Sequence, residues 1–374
     1  MQNGADAGQA DGSRGASRRG RRQGDGVNKK VTEASKALER IKCIIEEKDG
    51  PTTPSMMLGC SCCKPSKRPQ GGELTRVLLG DFPTAAYSDT VTWEPVHWGQ
   101  LKLLLSEIEF LTPYKKEKNH NVIYAGASPG IHMPILAKMF PDITFTLIDP
   151  QPSMIENGEY HNIFVIQDYM TDGLAKAFAL YKDNVLFISD VRIGADSTRE
   201  TPKKMQERIH KDMINQLGWL RIINPVSSIL KFRLPWTGIK TMYLKGKVYF
   251  PVFGKRMTHE ARLVVDRGAE VISYDNKLYE GQMAYFNQVL RPAVYTYGGK
   301  TGCFDCTSFR KIVYDYLLAT NPSNTGNFDL VDIKCNKILT DLNEFKHKWD
   351  ETRKKSDRTA PGESRARRGS RGHS

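Results

Sequence analysis

The sequence predicts an α/β fold, a doubly wound and mainly parallel sheet with flanking helices, and three observations carry the prediction. Apolar runs of strand length recur as NVIYAG, ITFTLID, IFVIQD, NVLFISD, VSSILKF and ARLVV. Segments of helical or turn character separate them, the alternation that builds parallel sheets. The first run closes in a glycine turn, VIYAGASPGIH, followed by Met133, Leu136, Ala137 and Phe140 at helical spacing. A strand, turn and helix in that order is a nucleotide-binding unit.

In chain order, residues 1–30 hold seven Lys or Arg against three acids and are expected to form a disordered basic tail. Val31, Ala34, Leu38, Ile41 and Ile45 predict an amphipathic helix ending near Gly50, and a connector rich in Pro, Gly, Ser and Cys runs on to about residue 85. The helix GQLKLLLSEIEFL opens a compact domain predicted over 86–320. After NPSNTGN, the spacing of Cys335, Ile338, Leu342, Phe345 and Trp349 predicts a terminal helix within 321–350. Residues 351–374, with eight Lys or Arg against three acids, are expected to be a second disordered basic tail. The two tails hold +4 and +5 of a formal net charge of +13, enough for a weak, salt-sensitive attraction to a polyanion.

At 39% apolar residues the chain can bury a core, and it has neither a signal-peptide core nor an apolar run long enough to cross a membrane. A soluble intracellular protein with reduced cysteines is the expectation. Cys60 with Cys63 and Cys303 with Cys306 have the C-x-x-C spacing of a structural zinc site, but unliganded thiols are expected and no metal is assigned.

The glycine turn is not a dinucleotide fingerprint. G-x-G-x-x-G lets backbone approach a pyrophosphate, whereas Ala127, Ser128 and Pro129 fill this turn and Pro129 lacks an N–H. An oxidoreductase using a nicotinamide dinucleotide is thereby disfavoured. The next strand ends at Asp149, an acid suited to a ribose diol. A nucleoside ligand without a pyrophosphate points to S-adenosylmethionine. Ligands of open parallel sheets sit beyond the strands' carboxyl ends, where Gly126, Asp149, Asp168 and Asp190 fall. Lys231, between Leu230 and Phe232, stands where a strand calls for an apolar residue.

The stretches GQLKLLLSEIEFL, VIYAGASPGIH, LIDP, ISDVR, NPVSSILKFRLPW and THEARLV occur in the order and approximate spacing of the poxvirus cap-specific mRNA nucleoside 2′-O-methyltransferases, which double as regulatory subunits of the viral poly(A) polymerase. The chain resembles that family from about Trp93 to about Ser308 and looks like a member from a large DNA virus. The resemblance implies a Rossmann-like fold and a methyl donor, S-adenosylmethionine. It also implies a catalytic set of Lys102, Asp190, Lys231 and Glu260. Donor contacts fall on Gln100, Tyr124, Gly126, Gly130, Asp149 and Asp190, with Gln151 where the family carries an arginine; Asp168 and its neighbour Tyr169 complete the candidate cofactor set. The implied partners are capped mRNA and the polymerase's catalytic subunit, in host cytoplasm and virion, with no membrane.

The chemistry of methyl transfer to an alcohol independently asks for such a set. The hydroxyl must lose its proton, and a lysine can take it only when desolvated beside another cation. Lys231, with Lys102 nearby, is that candidate; Asp190 would orient the lysines and Glu260 would hold Lys231 or the hydroxyl in line. Cap recognition further asks for an aromatic slot for a cationic base and an acid for its edge. By the resemblance, Trp236 is one wall and Glu280 the acid, while Tyr87, Phe82 and Trp93 all remain candidates for the opposite wall. Arg192, Arg233 and Lys240 are candidate RNA contacts in a basic cleft. A non-enzymatic RNA-binding processivity subunit and a methyltransferase of internal RNA sites are the competing readings.

Overall fold

A computed structural model of the chain describes residues 69–88, 93–117, 119–192, 201–236 and 238–359, without the side chains of 356–359. The N-terminal tail, the helix expected after Val31, Cys60, Cys63 and the last fifteen residues lie outside the described residues. The first described strand is β1 (Val77–Leu78), followed by α1 (Gly99–Leu111), β2 (Asn121–Ala125), α2 (Met133–Met139), β3 (Thr144–Ile148) and β4 (Ile163–Ile166). Next come α3 (Asp172–Ala179), β5 (Val185–Ser189), α4 (Pro202–Ile223), β6 (Ser227–Phe232), β7 (Lys240–Leu244), β8 (Lys247–Tyr249) and β9 (Ala261–Asp266). The chain then forms β10 (Val271–Asp275), α5 (Asn276–Tyr285), β11 (Val294–Tyr297), β12 (Lys300–Cys303), α6 (Phe304–Thr320) and α7 (Phe328–Thr359).

Eight strands form one sheet in the order β1-β8-β9-β6-β5-β2-β3-β4. The five from β4 to β6 run parallel, while β9, β8 and β1 are added antiparallel. Every residue of β5 is buried, as befits a strand covered on both faces, and such strands read as unbroken apolar runs. Ile123 and Phe187, from the central strands, join Met213, Trp219 and Ile223 of α4 in one core. Thr201 caps α4 by accepting the Lys204 N–H at 3.3 Å, Pro202 occupies its first turn, and Asn224 ends it in the left-handed region at φ 51°.

The chain leaves β2 through β3 and β4 to one side and returns to β5 on the other. The crevice between the carboxyl ends of β2 and β5 is therefore the switch point where ligands of such sheets bind. Gly126 follows β2 and Asp190 follows β5, so both open onto it.

All six predicted strands are present. Three features differ from the sequence-based expectation. β1 lies in the stretch expected to be connector and pairs with β8, Val77 opposite Tyr249. Two two-stranded antiparallel sheets, β7 with β10 and the hairpin β11 with β12, stand outside the main sheet. Helix α7 runs nine residues past the predicted boundary at 350, into residues expected to be a tail. Pairs Lys337–Asp341 at 2.7 Å and Lys346–Asp350 at 2.5 Å, each one turn apart, support its solvated side within the predicted span.

Behind the sheet, fully buried Arg291 pairs with Asp305 at 3.0 Å and donates to the carbonyls of Lys255 at 2.7 Å and Gly254 at 2.6 Å. Asp305 accepts the Phe253 N–H at 3.1 Å. This pair pins the loop that delivers His259 and Glu260.

Candidate active site

Four elements bring the catalytic candidates together: the start of α1 carries Lys102, the end of β5 Asp190, the end of β6 Lys231, and the approach to β9 Glu260. The Lys102 ammonium donates to Glu260 Oε1 at 2.5 Å. Lys231 Nζ lies 3.0 Å from Asp190 Oδ1 and 3.9 Å from Glu260 Oε2. All four side chains are at least four-fifths buried.

A fifth member joins them. Arg262, 5% exposed at its side chain, donates to Asp190 Oδ1 at 2.7 Å and reaches Glu260 Oε1 at 3.6 Å. In the antiparallel register of β6 and β9 it stands directly opposite Lys231. Two cations facing each other across a strand pair are unfavourable unless anions lie between them, and that pattern was the available signal. Arg192, more than half exposed, adds a cation at the rim by donating to Glu260 Oε2 at 2.8 Å.

Three buried cations thus surround two carboxylates, an excess of one positive charge before Arg192 is counted. The electrostatics follow from that imbalance. Burial alone would raise Asp190, but Lys231 and Arg262 outweigh it and hold the carboxyl at about 2. Glu260 is likewise buried, yet Lys102, Lys231 and Arg262 hold it well below the usual carboxylate range. Burial pushes the Lys102 ammonium down, with Glu260 opposing and Arg262 assisting.

On the ligand turn, Gly126 has φ +83° and a Cβ there would lie 2.7 Å from Val191 N and 2.8 Å from the Asp190 carbonyl carbon. Only glycine fits between β2 and β5. Gly130 has φ +70° at the foot of α2. The Asp149 carboxylate accepts N–H groups from Ser128 at 3.1 Å and Gln151 at 2.8 Å, which fixes the turn and leaves lone pairs for a ligand. Asp168 and Tyr169, both exposed, follow β4, and Asp168 Oδ1 accepts the Tyr169 N–H at 2.6 Å.

The Tyr124 side chain is fully buried and its hydroxyl donates to Glu107 at 2.7 Å. Gln100 is tied to the same group: its amide oxygen lies 2.7 Å from His132 Nδ1, and His132 Nε2 lies 2.9 Å from Glu107.

Trp236, 48% exposed, stands on the loop after β6 with the Arg233 guanidinium 5.0 Å from its ring centroid. Of the three candidates for the facing wall, Phe82 packs on Phe250 at 5.1 Å and Trp93 is buried beneath Arg291 at 5.5 Å. Only Tyr87 shares a neighbour with Trp236: both rings meet His259, at 4.6 and 5.2 Å between centroids. Burial raises the Tyr87 hydroxyl, and the Glu280 charge adds to it, so Glu280 borders the same space. Glu280 also pairs with Lys277 at 2.9 Å. Lys240 is exposed at the start of β7. Cys303 and Cys306 are buried and form no disulfide; no cluster of metal-ligating side chains occurs among the described residues. Among those residues, no helix is long and apolar enough to cross a membrane.

Fold and site together define a doubly wound α/β protein with a buried cation and carboxylate cluster beside a glycine turn. The chain belongs to the poly A polymerase regulatory subunit family, whose model matches residues 86–333. It is 26% identical over 213 residues to the cap-specific mRNA (nucleoside-2′-O-)-methyltransferase of Myxoma virus (strain Lausanne), covering 52% of this chain and 62% of that protein. The protein of the same name from Fowlpox virus (strain NVSL) is 27% identical over 222 residues, covering 52% of this chain and 68% of its own length. The chain thus spans about three-fifths of the length of the Myxoma relative. Among solved structures, bluetongue virus VP4 is 14% identical, with a TM-score of 0.39 over 75% of this chain and 44% of that one, a likeness too distant to weigh.

Proposed function

We propose that the chain is an S-adenosylmethionine-dependent methyltransferase acting on the 2′-hydroxyl of the first transcribed nucleotide of capped RNA. The observation that carries this reading is the convergence of Lys102, Asp190, Lys231 and Glu260 beside the glycine turn. The turn suits the donor: Gly126 admits close approach, Asp149 keeps acceptor capacity for a ribose diol, and Pro129 removes a phosphate-binding donor. The donor, when bound, supplies a methyl group on a sulfonium.

The residues of the chain do the rest. Asp190 and Glu260, held ionised by three cations, fix the lysines in place. Lys231 takes the hydroxyl proton, and Lys102 and Arg262 supply the positive field that favours a developing alkoxide. Arg192 and Arg233, beside Glu260 and Trp236, suit the RNA phosphates, and Trp236, Tyr87 and Glu280 suit a methylated guanine. The deciding experiment is methyl transfer from labelled donor to a short capped, unmethylated RNA with uncapped RNA of the same sequence beside it. Transfer to the capped RNA alone is expected; equal transfer to both would favour internal RNA sites, and none would favour a non-catalytic subunit.

The family's description favours a second, compatible role as a regulatory subunit of a poly(A) polymerase. Co-purification with a polymerase catalytic subunit and an increase in tail length on adding this chain would test it. Such a role, like the expected location in host cytoplasm and virion, rests on the family alone.

A further inference from the structure

His259 is a residue to which neither the sequence nor the resemblance gave a role. Its imidazole lies over the Tyr87 ring, centroids 4.6 Å apart and planes inclined by 33°, and meets Trp236 edge-on at 5.2 Å and 70°. The polar atoms of both rings converge on one nitrogen: the Trp236 indole N–H donates to His259 Nδ1 at 3.4 Å, and the Tyr87 hydroxyl lies 3.3 Å from it. An indole only donates, so Nδ1 carries a lone pair and the ring is neutral. Burial and the Arg233 guanidinium, opposed by Glu280, push the imidazole down to about 4, in keeping with that state. Tyr279 donates its hydroxyl to the His259 carbonyl at 2.7 Å, so the main chain is pinned while the ring is held by two long bonds.

We propose that the His259 ring is a resident occupant of the slot: it lies over the Tyr87 ring and abuts Trp236 edge-on, and a guanine base enters by displacing it. This deepens the cap reading and rests on it. The ring can rotate without backbone movement, because its carbonyl anchor and side chain are separate attachments. Its departure frees the indole N–H and removes one partner of the Tyr87 hydroxyl. The neighbouring residue is Glu260, so the occupant of the slot and a catalytic carboxylate share one short, pinned segment.

The displacement makes a quantitative demand. An internal competitor lowers the apparent affinity of every base that uses the slot by one common factor, the fraction of molecules in which the slot is open. It therefore leaves the preference for methylated over unmethylated guanine unchanged. The test is calorimetric binding of 7-methylguanosine triphosphate and guanosine triphosphate to the full chain, as wild type, His259→Ala and His259→Phe. His259→Ala is expected to tighten both nucleotides by about tenfold with their ratio preserved. His259→Phe keeps a ring in the slot and should tighten neither. Should the alanine variant melt early, His259→Ser carries the same expectation.

A loss of affinity on removing the ring would make His259 a wall of the slot and overturn the proposal. Unchanged affinity, or a gain confined to one nucleotide, overturns it as well. Failure of the cap reading looks different: wild type would then show no preference for the methylated nucleotide, whatever the variants do.

Discussion

Replacing Arg262 with Met keeps an unbranched stem and removes one guanidinium from the buried cluster. Asp190 loses its 2.7 Å partner but keeps Lys231 at 3.0 Å, and Glu260 loses a 3.6 Å contact but keeps Lys102 at 2.5 Å. Removing one partner of a buried pair costs about 3–5 kcal/mol, and because each carboxylate retains a cation the lower end applies. About 3 kcal/mol should lower the melting temperature by on the order of 5 °C in a chain of this size. The pH dependence has a definite sign. The Asp190 carboxyl is depressed from 3.8 to about 2, so its ionised form contributes about 2 kcal/mol that is present above about pH 4 and lost as the pH falls toward 2. Without Arg262 the depression shrinks, and the variant has less of this stability to lose. The gap between wild type and variant should therefore be widest near pH 7 and narrow on acidification to about pH 3. Circular-dichroism melting of both proteins at the two pH values measures it. Equal melting temperatures at neutral pH, or a gap that widens in acid, would refute the role given to Arg262.

Lys231→Arg should abolish methyl transfer while calorimetric binding of the donor survives, because arginine keeps the charge but cannot give up its proton; wild-type turnover would reassign the base. Trp236→Ala should weaken capped RNA binding about tenfold to a hundredfold and barely affect uncapped RNA, and Glu280→Gln should act in the same direction. Filter binding of the two RNAs at one salt concentration checks both variants, and an equal loss for both RNAs would make Trp236 a structural residue. Gly126→Ala places a methyl 2.7 Å from a backbone nitrogen at φ +83°, so donor binding should fall by at least about tenfold, and unchanged calorimetric affinity would remove the turn from the donor site.

The central strands were legible because burial on both faces forces unbroken apolar runs, as in VLFIS of β5. The edge was not: β1 and β8 have two and three residues, too few to show any period, and their pairing is set by β9 rather than by their own composition. The end of α7 was missed for a related reason, since the residues past Trp349 carry no apolar pattern. In the site, Lys231 was conspicuous because a cation interrupts an apolar strand. Arg262 does not stand out in the sequence, because only the strand register that sets it opposite Lys231 brings it to Asp190. Tyr124 came from the resemblance alone; its partner Glu107, on another element, is visible only in the packing. The second wall of the slot could not be chosen from sequence, since three aromatic residues lie close together there and only packing distinguishes Tyr87.

The register between β6 and β9 also governs when the cluster can exist at all. Lys231 and Arg262 share one face of the sheet only because Phe232 stands opposite Ala261 and Ser227 opposite Asp266. A slip of one residue would send either cation through the sheet to the opposite face. The lysine, the arginine and Asp190 come from segments far apart in the chain, so no folding intermediate that lacks the antiparallel addition can hold the carboxylates ionised or the lysines desolvated. Reactivity should consequently appear in a single late step during refolding, after the parallel core has formed and together with docking of β9, and a nick or insertion between β8 and β9 should leave a chain that retains a folded core yet is chemically silent.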